Sequence, residues 1–281
     1  MSSNESHPSD DLAGRLLGHP DKTNYTFGAP AESYVFANKR HRFEVIKPLL
    51  SGASPLRTSH MRDPLGPQIT FASESFIDEV AHAIGADPVE FRLKLVKDKR
   101  DGDVIKAAAE KADWKPRKRP QRGGNGTAVG RGIAYAQRNG STVAVVAEVE
   151  VDRSSGKVWG RRFFVAHDCG IVVNPGELHR VIEGNIVQGT SRALFEEVTF
   201  DNKAVTSVDW VGYPILESPD APESIDIVLL DRKDMPPKGA GEPSTRPVAA
   251  ALANAVFDAT GVRIRRAPMT PERVKSALSQ S

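Results

Sequence analysis

Residues 142–168 constrain the fold most. Thr142 to Val151, TVAVVAEVEV, is dominated by β-branched residues and suits a strand. Ser154-Ser155-Gly156-Lys157 is a turn sequence, and KVWGRRFFVAH reads as the returning strand, so this stretch predicts an antiparallel hairpin. Helical patterns flank it. In FASESFIDEVAHAIG, Phe76, Ile77, Val80, Ala81 and Ile84 recur at helical spacing and Gly85 marks the stop. Asp87-Pro88-Val89-Glu90 combines an N-cap, a proline at the first helical position and a capping glutamate, predicting a second helix to about Val96. A third is expected from Val104 to Ala112. Asn174-Pro175 caps a long helix over roughly 175–195. Ile225 to Leu230 is strand-like, and a last helix runs from about Pro247 to Thr260, stopped by Gly261. Tyr34, Phe36, Phe43 and Val45 suggest a short extended stretch. Mixed helices and strands, an antiparallel hairpin and no internal repeat together predict an α+β fold.

Residues 1–22 are polar, carry little to bury and read as a flexible lead. Residues 114–131, WKPRKRPQRGGNGTAVGR, are basic and aperiodic. They read as a solvated linker, or alternatively as a docking strip for an acidic surface. The 281 residues are 39% hydrophobic overall, enough for a sizeable core. The net charge of +2 supplies no field for nucleic acid. No apolar run approaches the ~20 residues that span a bilayer. No secretory signal is visible at the start, so a cytoplasmic location is expected. Cys169 is the single cysteine, which excludes an intrachain disulfide, a cysteine zinc site and a thiolate-held iron–sulfur cluster within the chain. The seven histidines show no ligand spacing, so no metal site made by this chain's own side chains is expected.

Two constellations can carry chemistry. In Pro236-Pro237-Lys238-Gly239-Ala240-Gly241-Glu242-Pro243, glycines allow a backbone to approach a ligand and prolines stiffen the loop. Glu242 would then project as a positioned general base. The plainer reading is an ordinary strand-to-helix turn with a surface glutamate. The loop is neither a dinucleotide fingerprint nor a Walker loop, so a nucleotide-binding reading is poor. The second constellation runs from Asp168-Cys169-Gly170 to Gln188-Gly189. Gly184 and Gly189 inside a helix suit close packing or a ligand, and Gln188 offers a donor and an acceptor. Here the plainer reading is tight helix packing with a solvated amide, and Cys169 as a small buried hydrophobe.

Four stretches together, 55–96, 130–189, 208–216 and 238–274, resemble the molybdenum-binding subunit of the xanthine dehydrogenase and aldehyde oxidase family. The order and spacing are most similar to the branch that includes the large (beta) chain of isoquinoline 1-oxidoreductase. The carrying motifs are MRDPLGPQ, Asp-Cys-Gly with Asn-Pro and Val-Gln-Gly, and KGAGEP followed by PVAAALANAV. The resemblance implies that 23–281 is the C-terminal part of a molybdopterin-binding domain. It implies that Glu242 is the active-site base beside molybdenum, and that Gly239, Ala240 and Gly241 form the loop bringing it there. By the same resemblance Gln188, with Gly189, contacts the pterin, and Arg62 lies in a loop near the metal, although the glycines usual around that loop are only partly kept.

The implied reaction is hydroxylation of an aldehyde or N-heteroaromatic ring with water as oxygen donor. The implied cofactor is molybdenum–molybdopterin, in its cytosine dinucleotide form. The implied partners are a chain supplying the missing N-terminal cofactor loops and a [2Fe-2S] small subunit that takes the electrons. The competing expectation is a non-catalytic remnant or interaction module that keeps the fold.

Overall fold

The hairpin expected over 142–168 is the middle of a four-stranded sheet. The structure, a computed structural model, describes residues 34–40, 61–121, 123–124 and 126–280. Strands β1 (Thr127–Arg138), β2 (Ser141–Asp152), β3 (Val158–Asp168) and β4 (Ser224–Leu229) lie side by side in that order. β1 and β2 pair antiparallel, as do β2 and β3, and β4 runs parallel to β3. Strand β1 was not foreseen. It joins β2 through Asn139-Gly140, both at positive φ (53° and 81°), the two-residue connection whose twist matches a hairpin.

Helices cover both faces. Helices α1 (Gly66–Ala83), α2 (Pro88–Leu95) and α3 (Lys99–Lys111) bury Ile77, Val89, Val104, Ile105 and Ala108 against Ile133, Tyr135, Val146 and Phe164. Helices α4 (Pro175–Leu194) and α5 (Val248–Thr260) bury Ile182, Ile186, Leu252 and Val256 against Val145, Ala147, Phe163 and Val165, with α6 (Pro271–Ser279) at the edge. A strand covered on both sides reads as a continuous apolar run, which is why β2 lacks polar alternation over most of its length. Each large aliphatic side chain buried this way contributes about 1.5–3 kcal/mol relative to exposure.

Several boundaries match their signals. Asp87 caps α2 by accepting from the Val89 and Glu90 amides, Asn174 caps α4 by accepting from Glu177, and Gly261 ends α5 at φ 80°. Others differ. Helix α1 starts at Gly66, about a turn early. Phe76 and Ile84 are 62% and 63% exposed, while the buried stripe is Thr70, Glu74, Ile77 and Ala81. The polar Glu74 faces inward because Arg92, itself fully buried, donates to it from Nε at 2.9 Å. Helix α3 starts at Lys99, where Asp98 accepts from the Arg100 amide.

The basic stretch is mostly exposed among its described residues up to Gly126, but it is anchored to the fold. Trp114 Nε1 donates to Asp87 at 3.0 Å, Arg117 stacks 4.2 Å above the Trp114 ring and pairs with Asp258 at 2.8 Å, and from Thr127 onward the segment is β1. The expected lead 1–22, and Phe43 and Val45, lie outside the described residues.

One close approach fixes the layer that matters most for the site. Gly130 and Gly132 of β1 lie directly on the backbone of α5. A Cβ on Gly132 would stand 2.2 Å from the Ala255 nitrogen and 2.4 Å from the Ala251 carbonyl oxygen. The alanines of α5 complete this contact, so strand and helix meet backbone to backbone.

Candidate active site

The loop between β4 and α5 carries Glu242. It is pinned at several points. The Lys238 amide donates to the Cys169 carbonyl at 2.7 Å, and Ser141 Oγ donates to the Gly239 carbonyl at 2.8 Å. Ser244 Oγ lies 3.0 Å from His167 Nδ1, and Thr245 Oγ1 donates to Asn185 Oδ1. A single 3₁₀ turn, Pro243–Thr245, then leads into α5. Burial pushes His167 down to about 4 against the opposing pull of Asp168, so this imidazole is neutral near pH 7.

The Glu242 carboxylate is held on both oxygens. Arg138, the last residue of β1, donates to Oε2 from Nε at 2.9 Å and from Nη2 at 2.8 Å. The Asp63 amide donates to Oε1 at 3.2 Å. Partial burial works against ionisation. The Arg138 hydrogen bonds, the Asp63 amide and the Arg246 charge outweigh it and hold the carboxyl below the ordinary glutamate value. Arg246 in turn grips Asp63 with Nε at 2.8 Å and Nη2 at 2.6 Å, and donates from Nη1 to the Gln137 carbonyl at 2.8 Å. Asp63 sits at φ 52°, a left-handed conformation that aspartate tolerates. Gly66 leaves the room for this pair: a Cβ there would stand 1.8 Å from Asp63 Oδ2 and 2.2 Å from Arg246 Nε.

The backbone at Arg62 and Asp63 has two jobs. The Asp63 N–H meets Glu242, and the Arg62 C=O of the same peptide accepts from Arg192 Nη1 at 2.7 Å. Arg62 therefore joins the site through its backbone, while its side chain is exposed. Gln188 lies one turn before Arg192 on α4, and its Oε1 is buried without a partner. Gly189 is buried against α5, where a Cβ would stand 2.8 Å from Val248 Cβ. Gly239 and Gly241 face open space, and Ala240 packs its methyl on the core. Gly184, expected at a close contact, also faces open space. Cys169 is buried, and burial pushes its thiol up, with Asp168 adding to the rise.

Arg138, Asp63, Arg246 and Arg192 escaped the sequence reading. Arg138 directly precedes the Asn139-Gly140 turn, and Asp63 directly follows Arg62, so both had local signals. Arg192 had none.

An orphaned buried amide oxygen is an acceptor that wants an N–H donor, and a Cβ at Gly239 or Gly241 would meet no atom within 4 Å, so these residues suit an organic cofactor that carries N–H groups.

The architecture places the chain in a class first. Aldehyde oxidoreductase from Desulfovibrio gigas shares this fold over 78% of the chain and 42% of its own, with a TM-score of 0.64 at 19% identity. The sequence model of the molybdopterin cofactor-binding domain matches residues 79–222, and the chain belongs to that family. The matched span holds Arg138, Gln188, Gly189 and Arg192 and stops before Glu242.

Among relatives, a nicotinate dehydrogenase chain of Pseudomonas putida is 45% identical over 84% of this chain, and the beta chain of isoquinoline 1-oxidoreductase from Brevundimonas diminuta is 34% identical over 73%. The chain spans only 21% and 26% of their lengths. The family thus agrees with the expected molybdenum-binding subunit of the xanthine dehydrogenase and aldehyde oxidase group. Among the described residues no helix is long and apolar enough to cross a membrane.

Proposed function

We propose that this chain forms part of a cytoplasmic molybdenum hydroxylase, with Glu242 as general base in the hydroxylation of an aldehyde or N-heteroaromatic ring by water. The observation that carries the reading is the Glu242 carboxylate. It is kept ionised by Arg138 and the Asp63 amide at the tip of a stiff loop whose glycines face open space. An ionised carboxylate can accept a proton from the oxygen that attacks the substrate, at Oε1 with its single 3.2 Å contact, and the Arg138 pairing that keeps it ionised also lowers its strength as a base. Gln188 would hold the pterin through its orphaned Oε1, and the Gly239, Ala240 and Gly241 loop would bring Glu242 to the cofactor. The molybdenum–molybdopterin cofactor, in its cytosine dinucleotide form, would supply the electrophilic metal that activates water and accepts two electrons. A separate [2Fe-2S] subunit would take those electrons onward, and a further chain would supply the N-terminal cofactor loops.

The test uses the complex purified with its genomic neighbours and activity normalised to bound molybdenum. Glu242→Gln keeps the shape and loses the proton acceptor, so the normalised rate should fall by about 10²–10⁴ while metal content holds. Gln188→Ala should lower metal and pterin content together. A Glu242→Gln complex that keeps more than about a tenth of the rate removes Glu242 as base. It would favour the non-catalytic reading, in which Arg138 simply closes the carboxylate.

A further inference from the structure

Arg192, half-buried on α4, differs from most of the arginines drawn into the fold. Arg92, Arg117, Arg246 and Arg263 each meet a carboxylate within 3.0 Å. Arg192 meets none among the described residues. Its Nη1 donates to the Arg62 carbonyl, while Nε and Nη2 are buried without a partner. The neighbouring acids are engaged elsewhere: Glu196 accepts from Tyr213 at 2.7 Å, and Glu197 from Arg266 and Arg273. Burial pushes the Arg192 guanidinium down against the opposing charges of Glu196 and Asp63, with Arg62 adding to the fall, and an arginine stays protonated in a protein. Leaving Nε and Nη2 buried and unmet is costly, and together they form an edge suited to two acceptor oxygens.

We infer that Arg192 receives an oxyanion, a carboxylate or phosphate group, through Nε and Nη2, beside the orphaned amide of Gln188 and the exposed Arg62. The one Arg62–Asp63 peptide touches both Arg192 and Glu242, so this receptor lies next to the proposed base. Two sources fit the chemistry: a carboxylate carried by the substrate, or a phosphate carried by the cofactor. The inference rests on the active-site reading for the source of the oxyanion, and on Arg192's own surroundings for its existence.

The first arm uses the full chain with inorganic phosphate as probe, against chloride at matched ionic strength. Ligand binding to the folded state raises the melting temperature. Phosphate should raise it in the wild type. The shift should shrink to the non-specific salt effect in Arg192→Met and be partly kept in Arg192→Lys. Equal phosphate shifts in wild type and Arg192→Met overturn the inference, whatever the complex does.

The second arm takes Arg192→Met into the assembled complex. A fall in molybdenum and pterin content assigns the oxyanion to the cofactor. Unchanged content with KM raised about tenfold or more for a carboxylate-bearing substrate, but not for its carboxamide, assigns it to the substrate. Unchanged content and unchanged KM again overturn it. Failure of the active-site reading is seen separately, as a complex without molybdenum or as an active Glu242→Gln complex.

Discussion

Strand β1 meets one charged cluster at Tyr135 and another at Arg138, and the two differ in how far the protein satisfies them. Around Tyr135 the chain supplies every partner that Arg92 needs. Nε donates to Glu74 at 2.9 Å, Nη1 to the Pro88 carbonyl at 3.0 Å and Nη2 to the Glu74 carbonyl at 3.0 Å. Glu74 also accepts from the Tyr135 amide at 2.9 Å, and Asp78 adds its charge and pairs with Arg263. Three residues further along β1, the Glu242 cluster is partly exposed and borders Gln188 and Arg192, which keep buried polar atoms without partners. A guanidinium met at each nitrogen, as that of Arg92 is, has nothing left to bind and can only hold elements together. An open cluster has spent part of its stability on waiting for something else, as sites for ligands do.

The contrast breaks most sharply through Glu242→Gln. It should cost about 10²–10⁴ in normalised rate while the melting temperature of the chain stays close to the wild type. A large loss of stability would put Glu242 with the structural cluster instead. Arg92→Met is the mirror experiment. Removing one partner of a buried ion pair strands Glu74 and costs about 3–5 kcal/mol, measured by urea unfolding. Adding Glu74→Gln to it should recover part of that loss, since the uncompensated charge is then gone.

Gly132→Ala sits between the two regions. Its methyl would be driven into the α5 backbone, costing about 1–3 kcal/mol. Because α5 follows the Glu242 loop, this variant should lose rate as well as stability, and activity assays on the folded fraction would separate the two. Arg138→Gln has the mildest effect and sharpens the comparison through pH. The fold lowers the Glu242 pKa, so the pairing stabilises the chain above the unfolded glutamate value and is lost as pH falls through the folded value. Losing Arg138 raises the folded value. The acid limb of the pH–rate profile should then move to higher pH, and the acid-side gain in stability with rising pH should flatten.

Much of the closed scaffold was legible because its signals are local. Caps at Asp87 and Asn174, the Gly261 stop and the β2–β3 hairpin each lie within a few residues of what they control. The Asn139-Gly140 turn was as local, yet the unassigned stretch before it hid β1. The anchors of the basic segment, Asp87 and Asp258, are remote in sequence, so Arg117 and Trp114 looked free. The exposed Phe76 shows the same limit: helical spacing marks a stripe, but only the buried Arg92 explains why the stripe is centred on Glu74. In the site, Glu242 and Gln188 stood out by motif, while Arg138, Arg246 and Arg192 act across more than a hundred residues of chain in most of their bonds.

The contact of Gly130 and Gly132 with α5 has a consequence for tolerance. Side chains transmit position loosely, since each χ angle can relax, but two backbones in contact have no such play. Arg138 lies six residues beyond Gly132, and Glu242 lies six residues before Val248 at the head of α5. The arginine and the carboxylate are thus the free ends of two rigid arms clamped at a common point, and the precision of their meeting is set at that clamp. Changes far from either charge, at any alanine of α5 that touches β1, should register at the active site as misalignment before they register as unfolding.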